Sequence, residues 1–366
     1  GTTFYTFEDV TPPKTPTMSF NAGQTGVYAV DAANYWTKND AVLFTLVLED
    51  DGSDPSGAHG YTLNDGTDIV AGTDLSMDAE DADTPASRTI KAVDNVGNIS
   101  INGIDVKVGK DTTAPVLGTA DFDPPHDVAS IYLNAADDNI ITLKIPFDER
   151  RSGLKRIRFS SYVTDLSNAT ASYDTYTYTV GAGLSTGTET GHPVLIFTDP
   201  IIVTAETTLT LTGVKLSPGS YNTLYDGAGG TDGNKVITAY LYDALDNSAR
   251  KDFPAFTHDT TRPNMPNNGS YSAPGVSSYY NGTQYYLRTG TIPFYPSPSG
   301  GDTDILGYNT NGGSDKETTP FNLGVGTHNL YAIDNAKNVS LGKTVTIVED
   351  ITPPSKPVIS ASGFKF

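Results

Sequence analysis

Val93-Asp94-Asn95-Val96-Gly97-Asn98-Ile99-Ser100, followed shortly by Asp111-Thr112-Thr113-Ala114-Pro115, is the stretch that decides how this chain is built. Both motifs recur. The first returns as Tyr242-Asp243-Ala244-Leu245-Asp246-Asn247 and as Ile333-Asp334-Asn335-Ala336-Lys337-Asn338-Val339-Ser340. The second returns as Asp259-Thr260-Thr261-Arg262-Pro263 and Asp350-Ile351-Thr352-Pro353-Pro354, and it stands near the start as Asp9-Val10-Thr11-Pro12-Pro13. The interval between them hardly changes, from Asp94 to Asp111, Asp243 to Asp259 and Asp334 to Asp350. Two motifs in step mark an internal repeat, and a repeat sets the architecture. Copies of the second motif lie roughly 90 to 150 residues apart, each interval the size of a domain with its own core.

Between the motifs the pattern is β. Val42-Leu43-Phe44-Thr45-Leu46-Val47-Leu48 ends at an acidic loop, as does Ile140-Ile141-Thr142-Leu143-Lys144-Ile145; a weaker third copy runs from Tyr285 to Tyr295. A second strand follows each loop, at Gly60 to Leu63, Leu154 to Phe159 and Ile305 to Tyr308. No long stretch has helical apolar periodicity, and short strands between Gly, Asn, Asp and Pro turns argue for β-sandwiches. Alternating strands run into Asp94, Asp243 and Asp334, and Asp and Asn bond their own backbone. Each aspartate is therefore expected to open the turn between the last two strands of its repeat. The Pro-containing motif reads as a short, stiff linker.

Composition narrows the function classes. Cysteine is absent, which rules out disulfide and thiolate chemistry. A net charge of −20 repels nucleic acid and anionic membrane surfaces and favours cations. No apolar run approaches the length of a membrane-spanning helix. The five histidines are scattered without metal-ligand spacing, and neither Gly-x-Ser-x-Gly nor a phosphate-cradling loop is present. No catalytic residue is expected.

The Asp-x-x-x-Asn turn followed by an Asp-x-Thr-x-Pro linker resembles the bacterial immunoglobulin-like (Big-type) domains repeated in large surface proteins and adhesins. The resemblance covers nearly the whole chain. It implies an all-β chain of three tandem immunoglobulin-like sandwiches: residues 10–111, 112–259 and 260–350, with 1–9 resembling the last strand of a preceding repeat and 351–366 the first strand of a following one. The middle unit departs from the pattern at Asp246 and Ala249 and is longest, with an insertion expected between Tyr162 and Asn234, where 173–180 and 207–212 read as additional strands. The chain opens at Gly1 without an initiator Met, which suits a segment cut from a longer array. The implied role is structural, in an extracellular adhesin, stalk, filament or surface layer. Its partners would be neighbouring repeats, copies of itself, or a surface glycan or protein. A carbohydrate-binding accessory module of a secreted glycan-active enzyme is the alternative. Its candidate platform is the cluster Tyr279, Tyr280, Tyr285 and Tyr286, although tyrosine on half-exposed strands is also ordinary β-sheet packing.

The same resemblance suggests calcium. In an immunoglobulin-like sandwich the linker, the loop between second and third strands and the last turn share one end. That end would gather Asp9, Asp50, Asp51, Asp54 and Asp94 in the first unit. In the second it would gather Asp111, Asp243 and either Asp148 or Glu149, and in the third Asp259, Asp334 and either Asp302 or Asp304. Converging carboxylates suit a hard cation with oxygen ligands, and adhesin arrays of the resembled kind stiffen their linkers with calcium. Against this, Asp caps turns without metal, and Arg150, Arg151 and Arg262 stand near enough in sequence to neutralise two of the clusters.

Overall fold

The structure, a computed structural model, describes residues 8–21, 23–51, 56–123, 132–133, 140–160, 162–216, 233–259, 261–271, 278–300 and 302–356. Among these there is no helix, and thus none long and apolar enough to cross a membrane. Contacts divide the chain into two compact units. One comprises 1–123, 140–216 and 236–254; the other comprises 124–139, 217–235 and 255–366.

The first sandwich sets the pattern. A three-stranded sheet has Ala41–Val47 at its centre, flanked by Thr17–Phe20 and Asp74–Asp78. It faces a six-stranded sheet built on Asn34–Thr37, Ile104–Lys110, Arg88–Asp94 and Ala58–Leu63. Strict alternation in Ala41–Val47 drives Val42, Phe44 and Leu46 inward, where they meet Leu75 and Met77 of their own sheet and Tyr35, Tyr61, Ile90, Val106 and Val108 of the other. Truncating a buried ring such as Phe44 to alanine costs about 3–5 kcal/mol in such a core. The third sandwich repeats the arrangement. Ile292–Ser297 lies between Asn267–Tyr271 and Phe321–Leu323, facing a five-stranded sheet, and Phe294, Phe321, Leu330 and Ile347 share its core. A parallel pairing of an early strand with the last one recurs, as Asn34–Thr37 with Ile104–Lys110 and Tyr285–Leu287 with Lys343–Glu349.

Two details differ from the sequence reading. The run from Tyr285 to Tyr295 is two strands, not one: it breaks at Gly290, whose φ of 89° carries the chain across to the opposite sheet. Thr207–Leu216 is not an added strand either. It pairs with Ile140–Asp148 as Asp74–Asp78 pairs with Ala41–Val47. The additional strands of the middle region are the five from Val163–Asp165 to His192–Ile201. Four of these fill the gap between the strand pair Ile140–Asp148/Thr207–Leu216 and the pair Leu154–Ser160/Thr238–Asp243, so that what would be two facing sheets becomes one continuous twelve-stranded sheet. Residues 1–7, 217–232 and 357–366, which carry part of the expected insertion and both expected flanking strands, lie outside the described residues.

Candidate functional site: three carboxylate clusters at the repeat junctions

The linker motif is an Asx turn in every copy. Asp9 Oδ1 accepts the N–H of Thr11, Asp111 Oδ1 that of Thr113, Asp259 Oδ1 that of Thr261 and Asp350 Oδ1 that of Thr352. An Asp followed two residues on by a free N–H is what that turn requires.

The turn motif is equally regular. Asp94 Oδ1 accepts the N–H groups of Val96 and Asn98, and Asp243 Oδ1 those of Leu245 and Asn247. Asp334 Oδ1 accepts the N–H of Asn338. Each of the three aspartates closes its strand and opens a tight turn. The fourth residue of each turn has left-handed backbone: Gly97 (φ 96°), Asp246 (φ 64°) and Lys337 (φ 63°). The motif serine also has a task, since Ser100 Oγ accepts the N–H of Ala92 and Ser340 Oγ that of Ala332.

The motif asparagine ties the two motifs together. Asn98 Nδ2 donates to Asp94 Oδ2 at 2.7 Å and to the carbonyl of Asp9 at 3.0 Å. Asn247 Nδ2 donates to Asp243 Oδ2 at 2.7 Å and to the Asp111 carbonyl at 3.3 Å. Asn338 Nδ2 donates to Asp334 Oδ2 at 3.0 Å and to the Asp259 carbonyl at 2.8 Å. This clamp pins the linker that leads into each repeat against that repeat's last turn. The near-constant interval runs the other way, from each turn to the linker that follows, and spans the repeat's last strand, such as Ile104–Lys110 and Lys343–Glu349.

Three carboxylate triads result: Asp9, Asp50 and Asp94; Asp111, Glu149 and Asp243; Asp259, Asp304 and Asp334. Within each, one oxygen per residue lies within 4.8 Å of the others. Of the paired sequence alternatives, Glu149 and Asp304 join their clusters. Asp148 and Asp302 do not: Asp148 takes a bidentate bond from Arg150, and Asp302 binds the backbone and side chain of Asn264. Asp51 is exposed and outside the first triad, and Asp54 lies outside the described residues.

The middle triad is the most deeply enclosed. Asp111 and Asp243 have no exposed surface and Glu149 has 4%. Asp111 Oδ2 accepts the hydroxyl of Ser152, and Glu149 Oε1 the N–H of Arg151. The neighbouring cations are committed elsewhere. Arg151 binds Asp81, Asp83 and the Lys110 carbonyl, while Arg150 binds Asp148. No ion pair among the described residues reaches Asp111, Glu149 or Asp243. Burial, reinforced by Asp111 and Asp243, pushes the Glu149 carboxyl up to about 7. Burial likewise raises Asp243 to about 6, and in the third triad Asp334 to about 6. Asp9, held by the N–H of Ser56, is instead lowered. A crevice lined by Thr113, Ala114, Asp148, Arg150 and Arg151 reaches Glu149 but neither Asp111 nor Asp243.

An oxygen-only donor set of this span fits one calcium ion, whose ligands about 2.4 Å away stand at most about 4.8 Å apart across it. Asp9, Asp50 and Asp94; Asp111, Glu149 and Asp243; and Asp259, Asp304 and Asp334 are the residues that would hold it. The ion would supply the positive charge that the buried carboxylates lack.

The tyrosine cluster divides by face. Tyr285 is buried and packs edge-on against Phe294, with Tyr280 stacked on it at 4.5 Å. Tyr279 is 65% exposed and tilts over Tyr286, whose hydroxyl accepts from Asn281 and Gln284.

No protein-family profile matches the sequence, and no curated protein matches it. Solved structures with some likeness include FdeC, an Escherichia coli adhesin, at 11% identity and a TM-score of 0.31, covering 93% of this chain and 100% of that one. BcpA, the major pilin subunit of Bacillus cereus, has 12% identity and a TM-score of 0.29, covering 84% and 85%. The D00-D0 domain of Intimin has 10% identity and a TM-score of 0.23, covering 67% and 99%. These scores are low, and the fold rests on the sheets described above.

Proposed function

We propose that this chain is a structural segment of an extracellular, cell-surface array of three immunoglobulin-like domains, bounded near Asp111 and Asp259, whose junctions are locked by calcium. Its role is non-catalytic: spacing, adhesion or lattice building. The observation that carries the reading is the asparagine clamp, present three times, which fixes each linker to the domain it leads into and brings a carboxylate triad to the same place. Pinned to the domain it leads into, each short Pro-containing linker acts as a semi-rigid spacer rather than a flexible tether. A cation seated among the carboxylates would tighten the clamp by neutralising the charge that otherwise opposes it.

Small-angle scattering in calcium and in chelator tests this. The expected outcome is an elongated particle whose maximum dimension is well defined with calcium and spread over a broader distribution in chelator. A compact particle of the same dimension in both would refute the reading. A second reading, glycan binding by an accessory module, draws on the Tyr279–Tyr286 pair with its adjacent amides. It predicts a neutral-glycan signal that Tyr279→Ala removes.

A further inference from the structure

A second concave site lies beside the middle junction but is not part of the carboxylate triad. It is walled by Pro85, Ile202, Asp83 and the arginines 150 and 151, with Lys107 also lining it. At its base lie Tyr35 and Trp36 from the strand Asn34–Thr37, which are 6% and 7% exposed. The apolar wall is built, not incidental. The Trp36 ring lies on Gly109 so closely that an added Cβ would come within 2.3 Å of it. Ile202 remains 41% exposed, an apolar side chain left open to solvent at the mouth.

The charged groups of this cleft are largely paired: three cations and one carboxylate, Asp83, converge on it. Arg150 and Arg151 are satisfied by Asp148, Asp81 and Asp83, so they serve as rigid walls. Lys107 makes no ion pair among the described residues. Asp31, the nearby carboxylate that feels its charge, spends its oxygens on the N–H groups of Ala33 and Asn34 and on the Asn34 amide. Concave apolar walls with one or a few convergent polar groups are the usual make-up of a small-ligand site.

We propose that this cleft binds an acidic sugar residue of the uronic-acid class, its carboxylate on Lys107 Nζ and the apolar face of its ring against Ile202 and Pro85, with the small exposed part of Trp36 beneath. A flat, weakly polar ring body suits the isoleucine and proline wall over its aromatic base, and the single uncommitted ammonium suits one carboxylate. The choice of a saccharide over other ring carboxylates rests on the cell-surface reading above.

Trp36 is the only tryptophan in the chain, so its fluorescence reports this cleft directly. The test titrates the whole chain with oligogalacturonate, galacturonate monomer and a neutral galactose oligomer. A saturable change is expected with the acidic sugars only; a response to the oligomer alone would mark a polysaccharide rather than a free acid as the source. Lys107→Glu should weaken it roughly tenfold or more, the scale of a lost charge-assisted hydrogen bond. Lys107→Arg should retain it, and Tyr279→Ala, in the other compact unit, should leave it unchanged. Melting curves check that each variant is folded. No saturable change with native melting, an equal response to the neutral sugar, or an unaltered Lys107→Glu titration would each overturn the proposal. The scattering experiment decides the array reading separately, so either can fail alone.

Discussion

The middle and third junctions are built from the same two motifs, yet they solve different electrostatic problems. In the middle one, all three carboxylates are buried and the third member, Glu149, follows the outgoing strand Ile140–Asp148. In the third, Asp259 and Asp304 keep partial exposure, and Asp304 stands just before the incoming strand Ile305–Asn309. The backbone at that place is otherwise equivalent: Ala244 donates to the carbonyl of Gly153, and Asn335 to that of Asp304. One architecture therefore accepts its third acid from either side of a loop. What differs is the cost of charge. Water can screen the third triad in part, whereas burial in the middle triad opposes the ionisation of Glu149 and Asp243.

Removing the turn aspartates should give the largest effects. Asp243→Ala leaves the N–H groups of Leu245 and Asn247 and the Asn247 amide without their acceptor, a loss of about 3 kcal/mol or more. Asp334→Ala should cost less, because its surroundings are wetter. Denaturant titration with probes in each domain, needed because a multidomain chain does not unfold in one step, would break the comparison if the order reversed.

The pH dependence comes next. Glu149 has a folded pKa above its unfolded value, so the folded state holds that proton more tightly. In chelator, the stability this contributes is fully present below pH 4.5 and is lost as pH rises through about 7. The full swing is about 3 kcal/mol. Asp243 and Asp334 act in the same direction over a lower window, from 3.8 to about 6. The middle domain should thus lose stability up to neutrality while the third has levelled off near pH 6. Glu149→Gln, which keeps the acceptor for Arg151 N–H, should flatten the upper part of the middle domain's profile. An unchanged profile would show that Glu149 is already ionised in the fold.

The smallest expected effect sharpens the turn itself. Lys337 occupies the left-handed position that Gly97 fills in the first repeat, and a side chain there costs about 1 kcal/mol. Lys337→Gly should raise the stability of the third domain by about that amount, with only a long ion pair from the half-buried lysine to exposed Asp315 lost. Gly97→Ala should lower that of the first. Melting of the two variants measures both.

The sequence carried the linkers and turns because their causes are local. An Asx turn demands Asp followed by an N–H two residues on, and Asp94, Asp243 and Asp334 each serve backbone groups within four residues. The third acid was harder to place because one position along a strand reverses the side-chain direction. Asp148, the last residue of its strand, turns outward to Arg150, and Glu149 turns in. The twelve-stranded sheet was not legible at all. Its continuity depends on Thr170–Tyr173 pairing with Thr207–Leu216, strands far apart in sequence whose register no local turn specifies. The hairpin of Gly183–Glu189 with His192–Ile201 is instead set locally by Thr190-Gly191.

The central claim is that the buried middle triad is a calcium site rather than a cluster of protonated turn residues. Thermal melting at pH 7.5 in calcium and in chelator, for the native chain and Glu149→Gln, tests it most directly. The account predicts that calcium raises the melting temperature of the native middle domain by several degrees, and that Glu149→Gln matches or exceeds the native chain in chelator but gains little from calcium. A native melting temperature identical in calcium and in chelator would contradict it.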